Sequence, residues 1–262
     1  MSEPPILIPH ASGTNRDGEA AQAVELAGGD PRIVHVNELR DGRVAFADHA
    51  GVLLPGGFSY GDALGAGGRL ALELRTWFAE ELAALVAAGR PVLGICNGFQ
   101  VLVKAGLLPG PMSSPRAVTL TENARGRFEC RWVTLRVDVR TTSWLSAAEG
   151  AVIRCPIAHG EGRIAVTDPG VTQGLEDGGQ IAFRYMHTGA APIEEPLKPA
   201  DGAYPANPNG SVGDIAGLCD PSGAVVGLMP HPEDHVFAWQ RPSGPDEGSG
   251  LPVFEAFVGA AR

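Results

Sequence analysis

Short apolar runs alternate with amphipathic stretches over residues 1–106, and this alternation constrains the fold more than any other feature of the 262-residue chain. Ile6–Ile8 (ended by Pro9), Arg32–Val36, Gly51–Leu54 and Pro91–Ile95 read as strands. Arg16–Leu26, Arg69–Ala88 and Asn97–Ala105 carry helical spacing, with glycine stops at Gly28-Gly29, Gly89 and Gly106. Gly13-Thr14-Asn15 reads as a turn and N-cap before the first helix, and Gly56–Gly68 as a glycine-rich loop. Strands that are apolar throughout are buried on both faces. Their alternation with helices predicts an α/β fold, a mostly parallel sheet flanked by helices.

The second half changes character. Phe128–Val139, Val152–Ile157 and Ile164–Val166 read as strands with little helix between them, which predicts antiparallel additions to the sheet. Met186–Gly213 is rich in Pro, Gly, Ala and Asn and reads as a long surface loop. Ile215–Leu218 and Val225–Met229 are strand-like around a Pro221-Ser222-Gly223 turn, and Leu251–Ala261 closes the chain as a helix. No repeat or linker divides the sequence, so one domain over residues 1–262 is expected.

Charge narrows the function. Twenty basic against 30 acidic residues give a net charge of −10. That speaks against a nucleic-acid partner and against a polybasic membrane anchor. The longest apolar stretch, Leu82–Ala88, is far short of the roughly 20 residues that span a bilayer. The N-terminus lacks the basic and apolar regions of a secretory signal, so a cytoplasmic location is expected. Only two lysines, Lys104 and Lys198, are present, and neither follows a glycine, so a nucleotide-binding P-loop is not expected. The four cysteines, Cys96, Cys130, Cys155 and Cys219, form no CxxC pair. They are expected to be reduced, with no zinc ribbon or redox pair.

One cysteine stands in a special frame. Gly94-Ile95-Cys96-Asn97-Gly98 lies between a buried strand and a helix, the pattern of a nucleophile elbow with Cys at the centre. Such a turn lifts the side chain toward a cleft, and the helix N-terminus behind it favours a thiolate. A thiol nucleophile needs a base, and the base an orienting group. Met229-Pro230-His231-Pro232-Glu233 follows the Val225 strand. In an extended segment His231 and Glu233 point to the same side, so the carboxylate can fix the imidazole. Pro55-Gly56-Gly57-Phe58-Ser59 ends the third strand at the same sheet edge. Its glycines let backbone N–H groups approach an oxyanion. The other three cysteines sit in strand-like runs and are expected in the core. His10, His35, His49, His187 and His235 receive no functional role.

Together the G-x-C-x-G, H-P-E and P-G-G elements resemble the triad (class I) glutamine amidotransferases. Further stretches are similar to the glutaminase subunits of phosphoribosylformylglycinamidine synthase. They are Gly13-Thr14-Asn15-Arg16-Asp17, Gly57–Asp62, Cys96–Gln100, Arg127-Phe128-Glu129-Cys130, His159-Gly160-Glu161-Gly162-Arg163 and Tyr204–Gly210. The resemblance implies a class I amidotransferase-like, flavodoxin-like fold and hydrolysis of glutamine to glutamate and ammonia. It implies Cys96, His231 and Glu233 as the catalytic triad. Gly57, Phe58, Asn97, Gln100 and His159 are its candidates for the oxyanion and glutamine sites. No metal or cofactor is expected in this chain. The resemblance implies ATP and Mg on a partner synthetase subunit that takes the ammonia to make formylglycinamidine ribonucleotide in purine synthesis, sometimes with a small third subunit. Two alternatives remain open: an amidotransferase serving another pathway, and a non-catalytic binding module on the same fold.

Overall fold

The computed structural model describes residues 3–110, 117–139, 143–187, 197–241 and 248–262. Five parallel strands form one half of a nine-stranded sheet. In spatial order they are β2 (Asp30–His35), β1 (Pro5–His10), β3 (Gly51–Leu54), β4 (Val92–Ile95) and β11 (Val225–Leu228). The sheet continues antiparallel through β10 (Ile215–Cys219), β9 (Ile181–Met186), β6 (Glu129–Val137) and β7 (Val152–His159). The expected mostly parallel sheet with antiparallel additions is therefore present. β3, β4, β10 and β11 are buried at every position, as apolar central strands should be. β7 instead alternates, with Ile153, Cys155, Ile157 and His159 on its buried side.

Helices α1 (Asp17–Leu26), α3 (Gly68–Trp77), α4 (Ala79–Ala87), α5 (Asn97–Ala105) and α7 (Leu251–Ala260) bury apolar side chains in the core. α5 is almost wholly buried, which explains its near-continuous apolar sequence. No helix among the described residues is long and apolar enough to cross a membrane.

Several expectations need correction. The helix expected over Arg69–Ala88 is two helices, broken at Phe78 (φ −130°, ψ 18°). The buried Phe78 ring packs 5.2 Å from that of Phe46, and this contact outweighs continuing the helix. The first helix is preceded by Arg16, which makes no side-chain cap. A short helix α2 (Val36–Arg40) and a helix α6 (Pro169–Asp177), capped by Asp168, were not expected, nor was β9. β8 (Arg163–Val166) does not join the main sheet but pairs with β5 (Val118–Thr121). Cys130 is exposed, because its neighbour Glu129 takes the inward register position on β6.

The stretch 186–213 is also not a plain surface loop. Positions 188–196 lie outside the described residues, but Asn207, Asn209 and Ser211 are buried. Asn207 Nδ2 donates to Ser211 O (2.8 Å), and its Oδ1 accepts from Gly210 N–H (2.9 Å). Asn209 Nδ2 donates to Gly162 O (2.8 Å). Asparagine side chains satisfy here the backbone groups that a strand ladder would otherwise serve.

Candidate active site

Three adjacent parallel strands, β3, β4 and β11, end side by side. Their carboxyl ends lead into Gly56-Gly57, Cys96 and His231. Strand order alone therefore gathers the three sequence motifs at one crevice, where ligands of open α/β sheets bind.

Cys96 has φ +49° and ψ −106°, a conformation that side chains of L-residues rarely adopt. The strain belongs to the strand-to-helix turn, and its neighbours permit it. A Cβ on Gly98 would lie 2.0 Å from Leu54 O, and one on Gly94 would meet Leu102 Cδ1 at 2.4 Å. Only glycine allows β3, β4 and α5 to approach this closely. Cys96 is 5% exposed, and its sulfur lies 3.9 Å from Ala158 O at the end of β7.

His231 sits between prolines, and its N–H donates to Pro156 O of β7 (2.9 Å). Its Nδ1 lies 2.7 Å from Glu233 Oε1, with both side chains buried. A Cβ on Gly56 would stand 2.8 Å from His231 Cε1, so this glycine gives the ring its place. Burial opposes a charge on the imidazole. The Glu233 carboxylate and the hydrogen-bonded Cys96 sulfur outweigh it and hold the His231 pKa well above its ordinary value. His231, Glu233 and Asp234 offer ligand atoms within 4.8 Å of one another. His231 Nδ1 is engaged by Glu233, and Asp234 pairs with Arg16 at 3.4 Å. The buried Cys155 thiol behind them is pushed up by desolvation, with Glu233 and Asp234 adding to it, which keeps it an inert thiol.

A cleft of about 160 Å³ opens onto Cys96. Gly57, Phe58, Gln100 and His159, expected at the site from the sequence, line it. Asn97 does not line the cleft but supports it. Its Oδ1 accepts from Ser59 N–H (3.2 Å), and its Nδ2 donates to Gln100 Oε1 (3.0 Å). Gln100 Nε2 donates in turn to Glu161 O (2.6 Å), tying α5 to the opposite wall. Phe58 N–H is committed to Gly13 O (2.9 Å), whereas Gly57 N–H has no acceptor among the described residues.

His159 is buried. Its Nδ1 lies 3.1 Å from Asn123 Oδ1, which also accepts from Gly162 N–H (3.1 Å). Asn123 Nδ2 donates to His159 O (2.8 Å) and Arg127 O (2.9 Å), which fixes the amide orientation. Nδ1 therefore carries the proton, and Nε2 is an acceptor with no partner among the described residues. Burial first, and His231 second, lower the His159 pKa to about 4, so the ring is neutral.

Sequence reasoning missed Asn123, and with it Asp62 and Glu161, the two carboxylates in the cleft. Burial raises the Asp62 pKa, and Glu161 adds to the rise. Both lie inside the Gly57–Asp62 and His159–Arg163 motifs, so acidic residues in glycine-rich loops at a sheet edge were the available signal. A larger apolar cavity of about 330 Å³ lies between Phe46, Phe78 and Leu85, and no triad residue lines it.

This fold, with a strained cysteine and a His–Glu pair at adjacent strand ends, is that of a triad glutamine amidotransferase. Residues 3–261 match the CobB/CobQ-like glutamine amidotransferase domain family. The chain is 48% identical over 252 residues to phosphoribosylformylglycinamidine synthase subunit PurQ of Treponema denticola, covering 92% of each chain. It is 41% identical to the subunit PurQ of Pyrococcus furiosus, over 94% of this chain and 93% of that one. A chain in the PurLQS structure of Thermotoga maritima superposes with a TM-score of 0.72 at 33% identity, covering 98% of both. The chain belongs to the glutamine amidotransferase family and, within it, to the glutaminase subunits of phosphoribosylformylglycinamidine synthase.

Proposed function

We propose that this chain hydrolyses the side-chain amide of glutamine with Cys96, His231 and Glu233, and passes the ammonia to an ATP-dependent synthetase subunit. One observation carries the reading: a strained, buried Cys96 at a strand end beside an imidazole that is hydrogen-bonded to a buried carboxylate.

The steps follow from that arrangement. Cys96 gives its thiol proton to His231, and the sulfur attacks the amide carbonyl carbon of glutamine. Charge on the carbonyl oxygen meets the first-turn N–H groups of α5, which have no intrahelical acceptor, and Gly57 N–H. Each such donor is worth about 3–4 kcal/mol. The His231 proton moves to the amide nitrogen, the C–N bond breaks, and ammonia leaves a thioester on Cys96. Neutral His231 then takes a proton from water, and the resulting hydroxide attacks the thioester. Glutamate departs as the thiolate and imidazolium re-form. Glu233 holds the imidazole in orientation and balances its charge throughout.

The cleft walls suit the rest of the substrate. Asp62 and Glu161 match the α-ammonium group, and the neutral His159 ring forms part of the same wall. On this reading the ammonia acceptor is formylglycinamide ribonucleotide, bound with ATP and Mg on the synthetase subunit, as the family resemblance implies; the similar chain in the PurLQS structure of Thermotoga maritima supports a multisubunit setting. Steady-state glutamate release by the purified chain, alone and with its synthetase subunit, tests the proposal. No release in either condition overturns it.

A further inference from the structure

Two sequence motifs take no part in the chemistry: Arg127-Phe128-Glu129-Cys130 and the Tyr204–Gly210 stretch. The structure joins them. The Arg125 guanidinium lies 4.2 Å from the centre of the Tyr204 ring and that of Arg131 lies 4.6 Å away. Arg127 Nη2 donates to Tyr204 Oη at 3.0 Å, and Arg131 donates to the same oxygen. Three guanidiniums thus crowd around one partly exposed phenol.

The charge here is not balanced locally. Glu129, 2% exposed, pairs with Arg127 (3.0 Å) and Arg131 (2.9 Å). Arg125 has no ion pair among the described residues. A chain of net charge −10 has therefore gathered an excess of positive charge at one place. Gathering like charges costs free energy unless something negative covers them. The Glu129 and Tyr204 contacts hold the arginines in a fixed array.

The array borders the cleft. Phe128, between Arg127 and Glu129, is half exposed and lines the cleft that opens onto Cys96. Phe58, also exposed, lines the same cleft. Exposed aromatics beside fixed arginines are the composition of a protein interface centre. A small anion would instead need a concave pocket of buried donors, whereas Arg127 keeps 54% of its side chain exposed.

We propose that the Arg125–Arg127–Arg131 array on Tyr204 is the docking site for an acidic surface of the ammonia-consuming synthetase subunit, seated over Phe128 at the mouth of the cleft. This rests on the reading that the chain supplies ammonia to such a subunit. The charge recognises the partner and orients it, and the aromatic rim is covered where ammonia must leave.

The test uses the full chain with its cognate synthetase and any small third subunit. Arg125 is the residue to change, because it stacks on Tyr204 from the surface and supports no buried carboxylate. The dissociation constant of the complex is measured for wild type, Arg125→Ala and Arg125→Glu at two salt concentrations. Unchanged thermal midpoints of the free chains confirm folding. The proposal expects at least a tenfold weaker complex for Arg125→Glu, a smaller loss for Arg125→Ala, and a shallower salt dependence in both. Equal affinity in all three, with glutamine-dependent synthesis intact, overturns the docking site and leaves the glutaminase reading standing. Inorganic phosphate binding that is lost in Arg125→Glu while the complex is unaffected also overturns it, in favour of an anion site. A wild-type chain that neither binds the synthetase nor supports glutamine-dependent synthesis overturns the functional reading itself.

Discussion

His231 Nδ1 and Glu233 Oε1 lie 2.7 Å apart with both side chains buried, and the other Glu233 oxygen, Oε2, has no partner among the described residues. The carboxylate therefore spends its charge on the imidazole. Removing that charge while keeping the shape, in Glu233→Gln, should lower kcat for glutamine hydrolysis by about 10²-fold. It should also move the pH profile. Glu233 raises the His231 pKa, so its loss lowers that pKa, and the alkaline limb of kcat/KM shifts to lower pH. A wild-type profile in the variant would remove Glu233 from the triad.

In the proposed mechanism Cys96 makes ammonia but does not consume it. Cys96→Ala should abolish glutamine-dependent synthesis by the assembled enzyme and leave ammonia-dependent synthesis near the wild-type rate. Parallel assays with glutamine and with ammonium chloride read this directly. Substantial glutamine-dependent turnover in the variant would show that the nucleophile lies elsewhere.

The elbow rests on glycine at positions where no side chain fits. A Cβ on Gly98 would stand 2.0 Å from Leu54 O, backbone that cannot move without shifting β3. Gly98→Ala should cost more than about 3 kcal/mol or prevent folding. Gly18, on α1, faces open space, and a Cβ there would meet nothing within 4 Å. Gly18→Ala should stabilise by about 0.5 kcal/mol. Chemical denaturation of the two variants tests the contrast.

Much of this site was legible because its chemistry is written in short spacings. Gly94 to Gly98 encloses Cys96, and His231 and Glu233 are two residues apart. What escaped depends on contacts distant in sequence. Asn123 matters only because β7 places His159 against it, 36 residues away. The break at Phe78 depends on Phe46, and the burial of Asn207, Asn209 and Ser211 on side-chain hydrogen bonds that composition does not reveal. Asp62 and Glu161 lie far apart in sequence, and only the fold brings both to the lining of one cleft.

Two groups near the proposed triad, one buried and one partly buried, pull acid stability in opposite directions. The His159 pKa is lowered to about 4, mainly by burial. Between about pH 6.5 and 4 the unfolded chain binds this proton and the folded chain does not, so stability falls as pH falls. Asp234 is raised to about 6 by burial and by Glu233, so over the overlapping range its protonation favours the folded state. His159→Gln removes only the first effect. Its stability should therefore fall less than that of wild type between pH 7 and 5, by about 2 kcal/mol. Urea midpoints at both pH values give the comparison, and parallel slopes would mean that His159 is protonated in the folded chain.

The last relationship joins the oxyanion loop to a distant turn. Phe58 N–H donates to Gly13 O, and Gly13, at φ +93°, has its Cα so close that a Cβ would stand 2.1 Å from Phe58 O. Gly57, at φ +137°, adopts a conformation open to glycine. At Gly57-Phe58 the loop is thus held by backbone contacts, with the Phe58 N–H tied away from the cleft and the Gly57 N–H lacking an acceptor among the described residues. A loop of this kind can exchange between two peptide orientations at little steric cost, and a ligand that contacts one of them selects it. The isolated chain should therefore hydrolyse glutamine slowly, and the synthetase subunit with its nucleotide ligands should raise the rate at saturating glutamine. Gly13→Ala should displace Phe58 and lower kcat in the complex by about tenfold or more, since one oxyanion donor alone is worth about 10²-fold, while leaving the β1–β3 pairing in place. Glutamate release by both chains, with and without the partner, reads the two effects together. Equal rates for the free and assembled wild type would mean that the loop is already set, and an unaffected Gly13→Ala would detach the turn from catalysis.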